Sequence, residues 1–203
     1  MATSGVYEVV SYVKLKYIPF PSLVRVSVLA DGNCFFHAIL RAFNRTYITA
    51  TNNHIRQTIA SILRHELAAA LEEKDATGKL VYDTLAKGTL REFSKGYPAA
   101  SLSAMQSELK GGQAVDNLYH ELISNQLDKD IYFIDLQTED VYVTSSDLSL
   151  LYKARDSIFI VYTGGHYDLL GVWDGQVVQA LFSSNHPLTQ LIQQRLQGKV
   201  IAK

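Results

Sequence analysis

The sequence predicts an α+β domain, because its strand-like and helix-like segments are segregated along the chain. β-rich runs occur near the start and again from Asp130 onward, while amphipathic helical patterns fill the middle. That order argues against regularly alternating βαβ units. In addition, Gly164-Gly165 separates two β-rich runs, "SIFIVYT" and "HYDLLGVW", and predicts a hairpin.

From the N-terminus, "VYEVVSYV" (Val6–Val13) is rich in valine and tyrosine and reads as a strand. Pro19 and Pro21 interrupt regular structure, and "VRVSVLA" (Val24–Ala30) alternates as a second strand. Asp31-Gly32-Asn33 is a turn signal, with Asp31 also suited to capping a helix that starts at Cys34. In that helix His37, Arg41, Asn44 and Arg45 form one narrow polar stripe. Asn52 or Asn53 can cap a second helix, whose apolar face is expected to comprise Ile55, Ile59, Ile62, Leu63 and Leu67. Residues from Glu73 to Tyr97 are charged and punctuated by glycine, with helical pieces. "ASLSAMQSELKGG" predicts a helix stopping at Gly111-Gly112, and "QAVDNLYHELISNQL" another with Val115, Leu118 and Leu122 on one side. "DIYFIDL", "DVYVT" and the hairpin runs are strands, and "LTQLIQQRLQGKV" is a final helix.

Bulk composition narrows the function. The chain has 203 residues, enough for one domain with a sizeable core. Its net charge of -1 offers no general phosphate-binding surface, so nucleic acid is not the expected partner. The start "MATSGVYEVV" lacks a basic segment followed by an apolar run, so no secretory signal is expected. No stretch approaches the roughly 20 apolar residues of a membrane span. A single cysteine permits neither an internal disulfide nor a Cys-pair metal site. These features suit a reducing, intracellular compartment.

That cysteine, Cys34, is the first candidate for chemistry. A free cysteine is most often a small buried hydrophobe. At the first turn of a helix, however, it faces unpaired backbone N–H groups and the positive end of the helix dipole, which favour thiolate. The turn formed by Asp31, Gly32 and Asn33 can aim further N–H groups at an oxyanion. A thiolate nucleophile needs a histidine to take and return a proton. Of the six histidines, His37 belongs to the polar stripe; His54, His65 and His120 fall on amphipathic helices, where a surface position is expected; His186 precedes Pro187 in a loop. His166 follows the Gly-Gly turn, and Asp168, two residues on, shares its strand face and can orient the imidazole. The competing structural interpretation of "HYD" is a hairpin end with outward polar side chains.

Three blocks of the sequence resemble those of the ovarian tumour (OTU) family of cysteine proteases. "DGNCFFHA" resembles its cysteine box, "LKGGQAVDNLYHELISNQLDKDIYFID" its middle block, and "GHYDLL" its histidine box, in that order. The resemblance implies a papain-like fold, a mixed β-sheet packed between helices. It implies thiol-dependent hydrolysis of the bond after the C-terminal glycine of ubiquitin or ubiquitin-like modifiers, with no cofactor and no metal. Cys34 matches the family's nucleophile, His166 its general base, Asp168 the residue that orients the histidine, and Asp31 the aspartate of the cysteine box. Gly32 and Asn33 fall in the oxyanion turn. A narrow substrate channel lined by Gly164, Gly165 and Tyr167 is a further expectation. The chain departs from the pattern at Lys110, where the family carries tryptophan before Gly-Gly. Residues 1–22 match no block and read as a strand-rich extension that contributes to a ubiquitin-binding surface. The resemblance implies that residues 23–203 form the OTU-like catalytic domain. The expected partner is ubiquitin or a polyubiquitin chain, bound by a monomer in the cytoplasm, of a host if the protein is viral or a bacterial effector. Three other readings stay open: a ubiquitin-binding module without turnover, a polyprotein-processing cysteine endopeptidase, and a papain-like hydrolase or transferase acting on a small amide or ester.

Overall fold

The computed structural model describes residues 9–83, 101–115, 117–143 and 153–201. Its centre is a seven-stranded mixed sheet of order β1-β2-β6-β5-β3-β4, with β7 also paired to β6. The strands are β1 (Val10–Tyr12), β2 (Leu23–Val26), β3 (Lys129–Asp135), β4 (Val141–Tyr142), β5 (Asp156–Tyr162), β6 (Tyr167–Trp173) and β7 (Val178–Gln179). Among the described strands only β3 and β5 run parallel; the other pairs are antiparallel. The described helices are α1 (Cys34–Phe43), α2 (Arg45–Ile48), α3 (Asn53–Ala70), α4 (Leu102–Lys110), α5 (Leu118–Gln126) and α6 (Pro187–Ile201).

Strand alternation divides the core in two. Ile131 and Phe133 of β3, with Ile158 and Ile160 of β5, face α1, α3, α4 and α5 through Phe36, Ile39, Leu67, Met105 and Ile123. Tyr132, Ile134, Phe159 and Val161 face the opposite way, toward Leu188, Ile192 and Leu196 of α6 and toward Leu15 and Ile18. Each such side chain withdrawn from water contributes about 1.5–3 kcal/mol. The sheet therefore lies between helices, an α+β arrangement as expected. β1 joins the same sheet at its edge, where its own Tyr12 and the preceding Val9 are exposed.

Several boundaries differ from the sequence reading. β2 ends at Val26 and does not run to Ala30, because the Val28 N–H turns to a side chain, the carboxylate of Asp168. The described part of the N-terminal run forms a strand only over β1. α5 begins at Leu118, so Val115 packs against the core from the segment before it. Asn52 caps α3 by accepting from the Ile55 N–H at 3.0 Å. The buried face of α3 is rotated from expectation: Ile55 and Ile62 are exposed, while Arg56, Ala60, Leu63, Arg64, Leu67 and Ala68 are buried. Two arginines occupy that face because aromatic rings and backbone carbonyls receive them. Arg56 lies over Tyr47 and Arg64 over Phe36. Of the charged stretch from Glu73 to Tyr97, residues 84–97 lie outside the described residues; before them, Lys74 and Leu80 form an antiparallel bridge.

Candidate active site

β2 delivers the chain to the turn at Asp31, and α1 starts at Cys34. Gly32 has φ +83°, and a Cβ there would collide with the Gly112 carbonyl oxygen, so only glycine suits this approach of two loops. The Gly111-Gly112 segment that ends α4 is thus packed against the cysteine turn, and the exposed Lys110 stands at the helix end beside it.

Asp31 organises the turn. Its Oδ1 accepts from the Asn33 N–H at 3.0 Å, and its Oδ2 accepts from Gln57 Nε2 at 3.1 Å. Both oxygens lie within 3.2 Å of His37 Nε2. Burial opposes ionisation of Asp31, but the Asn33 N–H, His37 and Gln57 together outweigh it and hold the carboxyl below its ordinary value. The expected capping of α1 by Asp31 is not what forms, since its oxygens are committed to these partners. His37 is also not on a solvated stripe: it is fully buried. Its Nε2 faces an acceptor-only carboxylate and so carries the proton, which leaves Nδ1 to accept from the Tyr47 hydroxyl at 2.9 Å. Burial pushes its pKa down, against the pull of Asp31, and favours this neutral form.

Asn33 precedes α1 but makes no side-chain cap. Its Oδ1 instead accepts from Arg64 Nη1 at 2.8 Å. The same guanidinium donates to the carbonyls of Leu109, Gln113 and Glu108 at 2.6, 2.8 and 2.9 Å. Arg64 thereby ties α3, the end of α4 and the cysteine turn together. The first-turn N–H groups of α1 are left without a side-chain cap beside Cys34, which is 7% exposed. The positive end of the helix dipole therefore lies beside Cys34.

The second half of the site is the β5–β6 hairpin. Gly164 and Gly165, at φ +74° and +116°, make the turn, and the Thr163 N–H donates to the His166 carbonyl at 3.0 Å. His166 lies just before β6, with its Nε2 3.1 Å from Asp168 Oδ1. Asp168 is fully buried. It accepts in addition from the Val28 N–H at 2.9 Å and from Arg25 Nε at 2.6 Å. The residues next to Cys34 and His166 meet: the Phe35 and Tyr167 rings are 5.8 Å apart. Tyr167 packs into an aromatic cluster with Phe35, His120 and Phe133, whereas Gly164 and Gly165 are exposed beside His166. His120 does not lie at the surface as expected. It stacks on Phe133 with centroids 4.5 Å apart, and burial pushes its pKa down to about 3.

Sequence reasoning missed Arg25 and Arg64. In "VRVSV" an arginine between valines reads as an outward-facing strand residue, and in α3 an arginine reads as solvated. A signal was present in Arg56, Ala60, Arg64 and Ala68, which share one helix stripe with Leu63 and Leu67. Among the described residues no cluster of three or more His, Cys, Asp or Glu is placed to hold a metal. No described helix is long and apolar enough to cross a membrane.

The chain has the fold of the ovarian tumour domain. It superposes on an OTU domain solved in complex with ubiquitin with a TM-score of 0.55 at 18% identity, covering 86% of this chain and 84% of that one. It also matches the Hazara virus OTU bound to ubiquitin (TM-score 0.45, 17% identity, 82% and 90% covered). The viral OTU domain protease from Taggert virus matches with a TM-score of 0.43 at 14% identity, with 86% and 99% covered. No family model and no curated protein matches by sequence.

Proposed function

We propose that this protein is a cysteine deubiquitinase with Cys34 as nucleophile, His166 as general base and acid, and Asp168 as the residue that orients the imidazole. The observation that carries this reading is the pairing of an uncapped helix start bearing the lone cysteine with a His–Asp pair on the adjoining hairpin. The ubiquitin bound to the OTU domain of the same fold supports the choice of substrate.

In this scheme the carboxylate on Nε2 leaves Nδ1 of His166 as the basic nitrogen. Nδ1 takes the Cys34 proton. The thiolate adds to the carbonyl carbon of ubiquitin's terminal glycine, and the new oxyanion is held by the Cys34 N–H with the Asp31 and Gly32 N–H groups of the turn, the Asn33 N–H being committed to the Asp31 carboxylate. Imidazolium then protonates the leaving lysine amine as the C–N bond breaks. Water, deprotonated by the same nitrogen, attacks the thioester and frees the thiol. Gly164 and Gly165 are proposed to border the channel for the glycine-ended tail, with Tyr167 as its wall. The exposed edge at Val9 and Tyr12 is proposed to contribute to ubiquitin binding.

Hydrolysis of a ubiquitin–fluorophore conjugate tests the reading. Turnover by wild type that is lost in Cys34→Ala supports it. Turnover that persists in Cys34→Ala contradicts it.

A further inference from the structure

We propose that Arg25 is a positioning residue, fixing the Asp168 carboxylate so that His166 is presented in one orientation. This rests on the assignment of His166 as the catalytic base.

Two of the three donors that reach Asp168 converge on the same oxygen. The Val28 N–H and His166 Nε2 both address Oδ1, while Oδ2 is held by Arg25 Nε at 2.6 Å. A carboxylate held on one oxygen alone can swing about its Cβ–Cγ bond and offer either oxygen to the histidine. The Arg25 contact removes that freedom, and it gives a fully buried anion a cationic partner. Its side chain is one-third exposed, the Asp168 side chain not at all.

The fold places Arg25 there by register. In the β2–β6 ladder Arg25 is opposite Leu170, so it shares a face with Asp168 two residues along β6. The ladder ends at Val26, and the departing strand supplies the Val28 N–H to the same carboxylate. One strand end thus provides two of the three donors. Arg25 differs from Arg64, which is buried and satisfies three backbone carbonyls. Loss of Arg25 leaves the Val28 bond and the ladder in place but takes the cation from a buried carboxylate, so a lower melting temperature is expected beside the loss of orientation.

The test compares wild type, Arg25→Ala and Arg25→Lys in three measurements: ubiquitin–fluorophore hydrolysis, alkylation of Cys34 by iodoacetamide, and thermal melting. For Arg25→Ala we expect kcat to fall about 10- to 100-fold, the range for losing one charge-assisted hydrogen bond. KM should stay within about twofold. Alkylation at neutral pH should slow, and Arg25→Lys should recover most of both losses because it keeps a cationic donor. Wild-type kcat in Arg25→Ala overturns the proposal. So does a raised KM at unchanged kcat, which makes Arg25 a substrate contact. If wild type fails to hydrolyse ubiquitin, the deubiquitinase reading falls, and alkylation still decides the role of Arg25. Equal alkylation rates in wild type and Arg25→Ala then overturn it, and slower alkylation in Arg25→Ala that Arg25→Lys reverses supports it.

Discussion

Nε2 of His166 lies 3.1 Å from Oδ1 of Asp168, and the carboxylate meets only donors: a histidine, an arginine and a backbone N–H. An amide in its place has no arrangement that satisfies the site. With its oxygen toward His166 and Val28, its NH2 faces Arg25; flipped, its NH2 faces the other two. Asp168→Asn is therefore expected to lose about 1–3 kcal/mol of stability and to lower kcat by about 100-fold. Chemical denaturation and steady-state hydrolysis measure the two effects. An Asn variant with wild-type kcat would show that the charge of Asp168 is unnecessary.

The cysteine turn makes a separate prediction. Gly32 holds φ +83° against the Gly112 carbonyl. Gly32→Ala is expected to destabilise by at least about 1–2 kcal/mol from backbone conformation alone, before any clash. Because the strain falls two residues before Cys34, ubiquitin hydrolysis should drop more than global stability does. The melting temperature and kcat/KM of the variant test this together.

Arg64 should behave as a strut. Arg64→Met keeps most of the apolar stem but strips donors from Asn33 and from the carbonyls of Leu109, Gln113 and Glu108. The expected cost is about 3 kcal/mol or more. It is read as a lower urea midpoint with an unchanged slope.

His120 should make the fold acid-sensitive. Burial depresses its pKa to about 3, below the ordinary 6.5. Below pH 6.5 the unfolded chain binds a proton that the folded chain refuses, so stability falls as pH drops from 6.5 toward 3. At pH 5 the loss from this group is roughly 2 kcal/mol. His37, also depressed, acts in the same direction. His120→Phe, which keeps the ring between Phe35 and Phe133, should flatten the decline in melting temperature between pH 7 and 5. An unchanged slope would assign the acid sensitivity elsewhere.

Much of the candidate site was legible in local sequence because its signals are local. A turn of Asp, Gly and Asn before a lone cysteine, and a histidine two residues from an aspartate after Gly-Gly, each need only a few neighbours to be read. The positions of His37 and His120 were not legible, since helical periodicity places them beside polar residues and only the packing of α1 and α5 buries them. Arg25 and Arg64 were hidden for a similar reason. Their partners lie 143 and 31–49 residues away, and a charged residue has no sequence mark that says its charge will be met inside. The end of β2 was misread because Val28 fits the alternation, while its N–H bonds to a side chain that only the β2–β6 register brings near.

The proposed chemistry is attack of Cys34 on ubiquitin's C-terminus with His166 as its base. Its most direct test is reaction of the purified protein with ubiquitin bearing a thiol-reactive C-terminus, read by intact mass. One ubiquitin-sized adduct is expected on wild type, none on Cys34→Ala and slow formation on His166→Ala. No adduct on a folded wild-type protein whose Cys34 still reacts with iodoacetamide would contradict it.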